Sequence, residues 1–182
     1  TTGQGVLEAY ESHKYPVTFM NIDSVHVNLG RVNPERIVEI MQRMDYSYYD
    51  RLAWEQAILT WMDRTSADET EFSLSVKWPV KTARNKRTLK PLDLDAVLGK
   101  AQKGIVLAQV DNLLPGQSRR YLKALVQVTN LGVTAKFSPE DNLVWVSNLK
   151  DANPVAGASV EILNDSNKVV WKGMTDASGF AK

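Results

Sequence analysis

Between Asn142 and Leu163 the chain reads NLVWVSNLKDANPVAGASVEIL, and no other stretch restricts the fold as much. Leu143, Trp145, Ser147 and Leu149 recur at period two, with Val144 and Val146 between them. Successive side chains of a strand point to opposite faces, so this period predicts a β-strand. Both faces are apolar at its middle, which places it inside a sheet with one face packed on a second layer. Lys150 to Pro154 is turn chemistry: Pro154 fixes its own φ and pushes Asn153 towards an extended backbone. Gly157 lets the chain bend back, and Ala158, Val160 and Ile162 resume the alternation. An antiparallel all-β domain is the expectation.

The same period recurs upstream. Segments 15–20 and 24–31 read as short strands, and Phe72, Leu74, Val76, Trp78 and Val80 predict a long half-buried one. Pro79 confines its last residues to an edge or a bulge. Lys81 to Lys90 reads as a basic turn region, followed by strands at 105–110 and 121–128. Strands at 132–138, 142–149, 157–163 and 168–175 belong to a second unit. Residues 1–14 are polar and weakly patterned, as in a linker or the end of a preceding element. In one place the period turns helical. Asn33 and Pro34 are a cap and a first helical residue, and Ile37, Ile40, Met41 and Met44 follow at helical spacing. Arg51, Trp54, Ile58 and Trp61 make a second stripe, so helices are expected at about 33–45 and 50–63.

The expected division is a β domain over 15–130 with a helical insertion at about 33–63, then the N-terminal part of a second β domain over 131–182. A seven-strand sandwich takes about 100 residues, so the second unit is expected to be cut short. Such a unit would expose strand edges and an apolar face around Trp145 and Trp171, and would self-associate or order poorly.

Composition removes several chemistries. The formal net charge is +1, which gives no global pull towards nucleic acid or an anionic membrane. There is no cysteine, hence no disulfide, thiol nucleophile or thiolate metal site in these residues. His13 and His26 are the two histidines, and neither has a second ligand type at metal spacing. Asp93 and Asp95 are spaced like an acid–base pair, but the better reading is solvent-facing carboxylates at the approach to a helical turn. No cofactor-binding motif is present, and the chain reads as a non-enzyme. Lys81, Arg84, Lys86, Arg87 and Lys90 form a basic cluster without interleaved aromatics, which favours a solvated loop over a nucleic-acid site. Tyr46, Tyr48 and Tyr49 sit between the two helical stripes, while the spacing of Trp54 and Trp61 assigns those two to packing. The candidate interaction surface is therefore Tyr46, Tyr48, Tyr49, Arg84, Lys86 and Arg87.

The strings LGVTAKFSPEDNLVWVSNL, PVAGASVEIL and WKGMTDASGFA resemble the bacterial alpha-2-macroglobulin family, of the enterobacterial type. LDLDAVLGKAQKGIVLAQV is similar to the end of the domain that precedes this pattern in that family, whereas the helical insertion lies outside it. The resemblance implies macroglobulin-like (Ig/fibronectin-like) β-sandwiches in a periplasmic protease inhibitor tethered to the inner membrane by an anchor outside these residues. In that family a protease cuts a bait region, and a conformational change exposes a thioester that captures it. The thioester needs a cysteine, so the implied role here is scaffold, with proteases as partners of the full-length parent. The alternative is a periplasmic interaction module of the cell envelope, with cell-wall synthesis proteins as partners. Neither reading involves nucleic acid.

Overall fold

The computed structural model describes residues 3–38, 72–99, 103–111 and 121–182. The chain divides into two compact units, Thr1–Thr129 and Asn130–Lys182.

In the first unit, β1 (Gly3–Glu8), β3 (Ser24–Val32), β4 (Phe72–Pro79), β6 (Gly104–Asp111) and β7 (Tyr121–Thr129) form one sheet in the order β1-β7-β6-β3-β4. Its pairs are antiparallel except β1 with β7, which is parallel. A second layer is a ribbon of β2 (Lys14–Phe19) and β5 (Thr88–Asp93), also antiparallel. Alternation explains the packing. Val25, Val27 and Leu29 of β3, Val106, Ala108 and Val110 of β6, and Val126 and Val128 of β7 are buried together with Val17 and Phe19 of the ribbon. Phe19 meets Trp78 edge-on at 5.7 Å and 80°, a favoured geometry for two aromatic quadrupoles. Leu107 is buried on the sheet's other face, opposite Gly30.

Several expectations change. Residues 3–8, expected as part of a linker or the end of a preceding element, form β1 at the sheet edge, and Tyr15 packs on Gly5, where a Cβ would come within 2.9 Å of the ring. Residues 81–90 are not all turn, because β5 begins at Thr88. Pro79 does fall at the end of an edge strand, β4. Asn33 caps as expected, its Oδ1 accepting from the Glu35 N–H at 3.1 Å, but what it opens is first a 3-10 turn, Pro34–Arg36. The rest of the helices expected at 33–45 and 50–63 lies outside the described residues, beyond residue 38.

In the second unit, β8 (Leu131–Lys136), β9 (Leu143–Asn148) and β12 (Phe180–Ala181) form a three-stranded antiparallel sheet with β9 in the middle. A second pair joins β10 (Ser159–Leu163) to β11 (Val169–Met174). Val144, Val146 and Ala181 are buried between them, with Val155, Ala158, Val160 and Trp171 packed against that core. Trp145 is on the other face, tilted against Phe180 at 6.4 Å, and its Nε1–H donates to Ser178 O at 3.2 Å. Trp145 and Trp171 are thus both half covered. The exposed apolar side chains of this unit lie elsewhere, among them Val133, Phe137, Val170 and Met174.

So small an apolar core leans on its turns. Buried Thr175 donates its Oγ1–H to Val155 O at 2.6 Å and accepts from the Ala158 N–H at 2.8 Å, pinning the turn after Pro154. Asp176 Oδ1 accepts from the Ser178 and Phe180 N–H groups at 2.8 and 3.0 Å. Gly179 has φ +78°, and a Cβ there would sit 2.6 Å from Val146 O. The TD..G string is thus a clamp made of hydrogen bonds. Thr175→Val should therefore lower stability by about 1–3 kcal/mol, since it strands a partly buried amide and a partly buried carbonyl. Gly179→Ala should cost at least as much by strain and overlap. Urea unfolding followed by tryptophan fluorescence checks both.

Candidate interaction surface

The basic residues picked out by sequence are held by a loop that is stitched to its neighbour. Residues 80–87 run beside the turn between β2 and β3. Val80 and Lys81 donate backbone N–H groups to Asp23 O at 2.9 and 3.1 Å. Thr82 and Ile22 exchange bonds: the Ile22 N–H donates to Thr82 Oγ1 at 2.8 Å, and Thr82 Oγ1 donates to Ile22 O at 3.0 Å. The Asn85 N–H donates to Asn21 Oδ1 at 2.6 Å, and Asn21 Nδ2 donates to Asn85 Oδ1 at 3.1 Å. Asn21, Lys81 and Asn85 all take positive φ, 56°, 52° and 59°. Asparagine accepts that region more readily than other non-glycine residues, so the pair suits both the bend and the bond.

This framework brings Arg84, Lys86 and Arg87 into one exposed loop with Lys81. Among the described residues none of these four forms a salt bridge. Lys90 is different. Its Nζ donates to Pro79 O at 3.0 Å and lies 5.9 Å over the Trp78 ring, so it ties the ribbon to β4 and is not part of the exposed cluster. Tyr46, Tyr48 and Tyr49 lie outside the described residues.

His13 and Asp95 form a contact that sequence reading missed. His13 is buried, Nδ1 is 2.6 Å from Asp95 Oδ1, and Nε2 is 3.3 Å from Ala9 O. The backbone joins in, with the Leu94 N–H donating to His13 O at 3.0 Å. Asp93 Oδ1 accepts from the Asp95 N–H at 3.0 Å, starting the helical turn Asp95–Leu98. The two aspartates thus have separate partners. One shapes the turn and the other anchors the β1–β2 connection through His13. Separated by 82 positions, His13 and Asp95 left no local signal in the sequence. Among the described residues, no group of three or more histidine, cysteine, aspartate or glutamate side chains could hold a metal ion. Among the described residues, no helix is long and apolar enough to cross a membrane.

The family described as the bacterial alpha-2 macroglobulin MG2 domain matches residues 2–124, and the one described as the bacterial alpha-2-macroglobulin MG3 domain matches residues 128–182. Alpha-2-macroglobulin of Escherichia coli (strain K12) is 22% identical over 171 residues, which are 92% of this chain and 10% of that protein. The chain thus spans a tenth of the length of this curated relative. The crystal structure of native E. coli alpha-2-macroglobulin spanning domains NIE-MG1 is similar at TM-score 0.67 and 19% identity, over 100% of this chain and 82% of that one. The trypsin-activated E. coli protein is similar at TM-score 0.69 and 18% identity, over 97% of this chain and 12% of that one.

Two outcomes are expected. Replacing Asn21 and Asn85 together by alanine should loosen the loop, so that limited trypsin digestion cuts after Arg84, Lys86 and Arg87 faster than in the unaltered chain. His13→Ala should lower stability by about 2 kcal/mol in urea unfolding, because a buried side chain bonded to a carboxylate is lost.

Proposed function

Because this chain belongs to the bacterial alpha-2-macroglobulin family, we propose that its two β units are framework for a periplasmic protease inhibitor that traps proteases after bait cleavage. The observation that carries this reading is the pair of consecutive domain matches, 2–124 and 128–182, which together take up nearly the whole chain. In the parent, a cut at the bait becomes a rearrangement elsewhere, and rigid packed modules transmit it because they shift as bodies. No cysteine occurs in this sequence, so these residues do not form a thioester, which fits a framework role. A solved relative in a trypsin-activated form supports a protease as the parent's partner. On this reading the chain is not an enzyme, and an anchor outside these residues tethers the parent to the inner membrane.

The test uses the full-length parent carrying this chain. Mixed with trypsin, it should leave activity on a small chromogenic peptide while blocking digestion of casein. Leu94→Ala or Val126→Ala, which open cavities in the first unit's core, should weaken that protection in step with the stability lost, by about 2–4 kcal/mol each. The isolated chain should neither block nor retain trypsin. Casein protection by the isolated chain, or unchanged protection in parents whose first unit is unfolded, sinks the framework reading. Osmotic-shock fractionation of the parent tests the compartment separately.

A further inference from the structure

We propose that the outer face of the β2/β5 ribbon, together with the basic loop at its end, docks an extended segment of a partner protein that carries apolar residues followed by carboxylates. This goes beyond the framework role and does not depend on it. With Val17 and Phe19 turned inward, alternation leaves Pro16 and Thr18 of β2 facing outward, opposite Pro91 and Leu89 of β5, and exposed Met20 follows directly after β2. Met20 is 50% exposed and Leu89 64% exposed. An aliphatic strip therefore runs along the ribbon and ends at the loop bearing Arg84, Lys86 and Arg87.

The ribbon's edges are poor sites for adding a strand. Pro16 stands directly opposite Pro91. Neither has an N–H, so both occupy a non-hydrogen-bonded pair, and the donors they lack are those that would have pointed to the two outer edges. Recognition is left to the face and its side chains. The strip from Pro91 to Arg87 is about 14 Å long at ~3.4 Å per residue, the length of about four residues of extended chain. Its polarity is set at both ends. Lys14 faces Asp93 across the ribbon at one end, and at the other the loop cations have no carboxylate partner among the described residues. Net charge is +1, so the attraction is local rather than a property of the whole surface.

The loop is also built in advance. The Asn21–Asn85 exchange and the Thr82–Ile22 exchange hold it, which reduces the ordering cost of binding. Lys81 sits at φ +52°, a conformation that disfavours a lysine and is sustained only by the surrounding bonds. Nucleic acid fits less well. The strip offers aliphatic side chains where base stacking needs aromatic rings, and Trp78 is engaged on the inner side by Phe19 and Lys90.

The test is fluorescence anisotropy of the whole chain with a labelled ten-residue peptide, leucine and valine in its first half and glutamate in its second. Saturable binding that weakens with added salt is expected. The triple variant R84E/K86E/R87E should weaken it by about tenfold or more. Leu89→Ser should weaken it by about threefold or more while leaving the salt dependence alone. Reversing Lys136 and Lys168 on the second unit should change nothing, and thermal melts should show every variant folded. The proposal is overturned by absence of saturable binding or by a triple variant that binds like the unaltered chain. Equal binding of an all-glutamate peptide overturns it too, since that is ion exchange alone. So does preferential binding to phosphatidylglycerol vesicles that the peptide fails to displace.

Discussion

The first unit depends on one contact, the closure of the two-stranded ribbon over the aliphatic face of β3, β6 and β7. A valine or leucine taken fully out of water contributes about 1.5–3 kcal/mol. Fixing a residue's backbone costs about 1–2 kcal/mol, so an uncovered strand gains too little to persist. Burial of Val25, Val27, Leu29, Val106 and Val126 to within 2% of complete is possible only because Val17, Phe19 and Leu92 sit over them. The loop between β4 and β5, the buried His13 and the helical turn at Asp95–Leu98 are all consequences of holding that lid in place.

The second unit balances the same terms differently. Three buried apolar residues make a thin core, and the fold is held in large part by polar groups at its turns. Thr175, Asp176 and Gly179 satisfy or clear the backbone at the one place where β9, β12 and the turn after Pro154 converge. A family pattern that looks arbitrary as letters is therefore a list of hydrogen-bond donors, acceptors and one position with no room for a Cβ.

These two economies bear on function. Units stabilised by layered aliphatic cores and stitched turns move as bodies, which is the physical basis of the framework role proposed for them. Surface chemistry is then free to differ from domain to domain. In this chain that freedom is spent on a loop whose backbone is tied down by asparagine and threonine while its cations are left facing solvent.

Alternation made much of this legible in the letters. β3, β7 and β9 carry apolar residues at period two, and burial on one face is what creates that period; β6 is instead apolar on both faces, and the two-residue β12 was not expected from sequence. β1 and β5 escaped for the same reason in reverse. GQGVLE shows no alternation because β1 is a parallel edge strand, and its Gly5 makes sense only with the Tyr15 ring upon it. TLKPLD carries a proline and a lysine that speak against a strand, yet Lys90 is accommodated once Pro79 O and Trp78 receive its ammonium. The His13–Asp95 pair and the Asn21–Asn85 exchange join residues 82 and 64 positions apart, and no local pattern announces them. By itself, then, the order of residues determined the β class, the cap at Asn33, the edge role of Pro79 and the family to which the chain belongs. Only the tertiary structure decided which strands close the core and which polar groups meet, because those depend on partners that the backbone brings together from far apart.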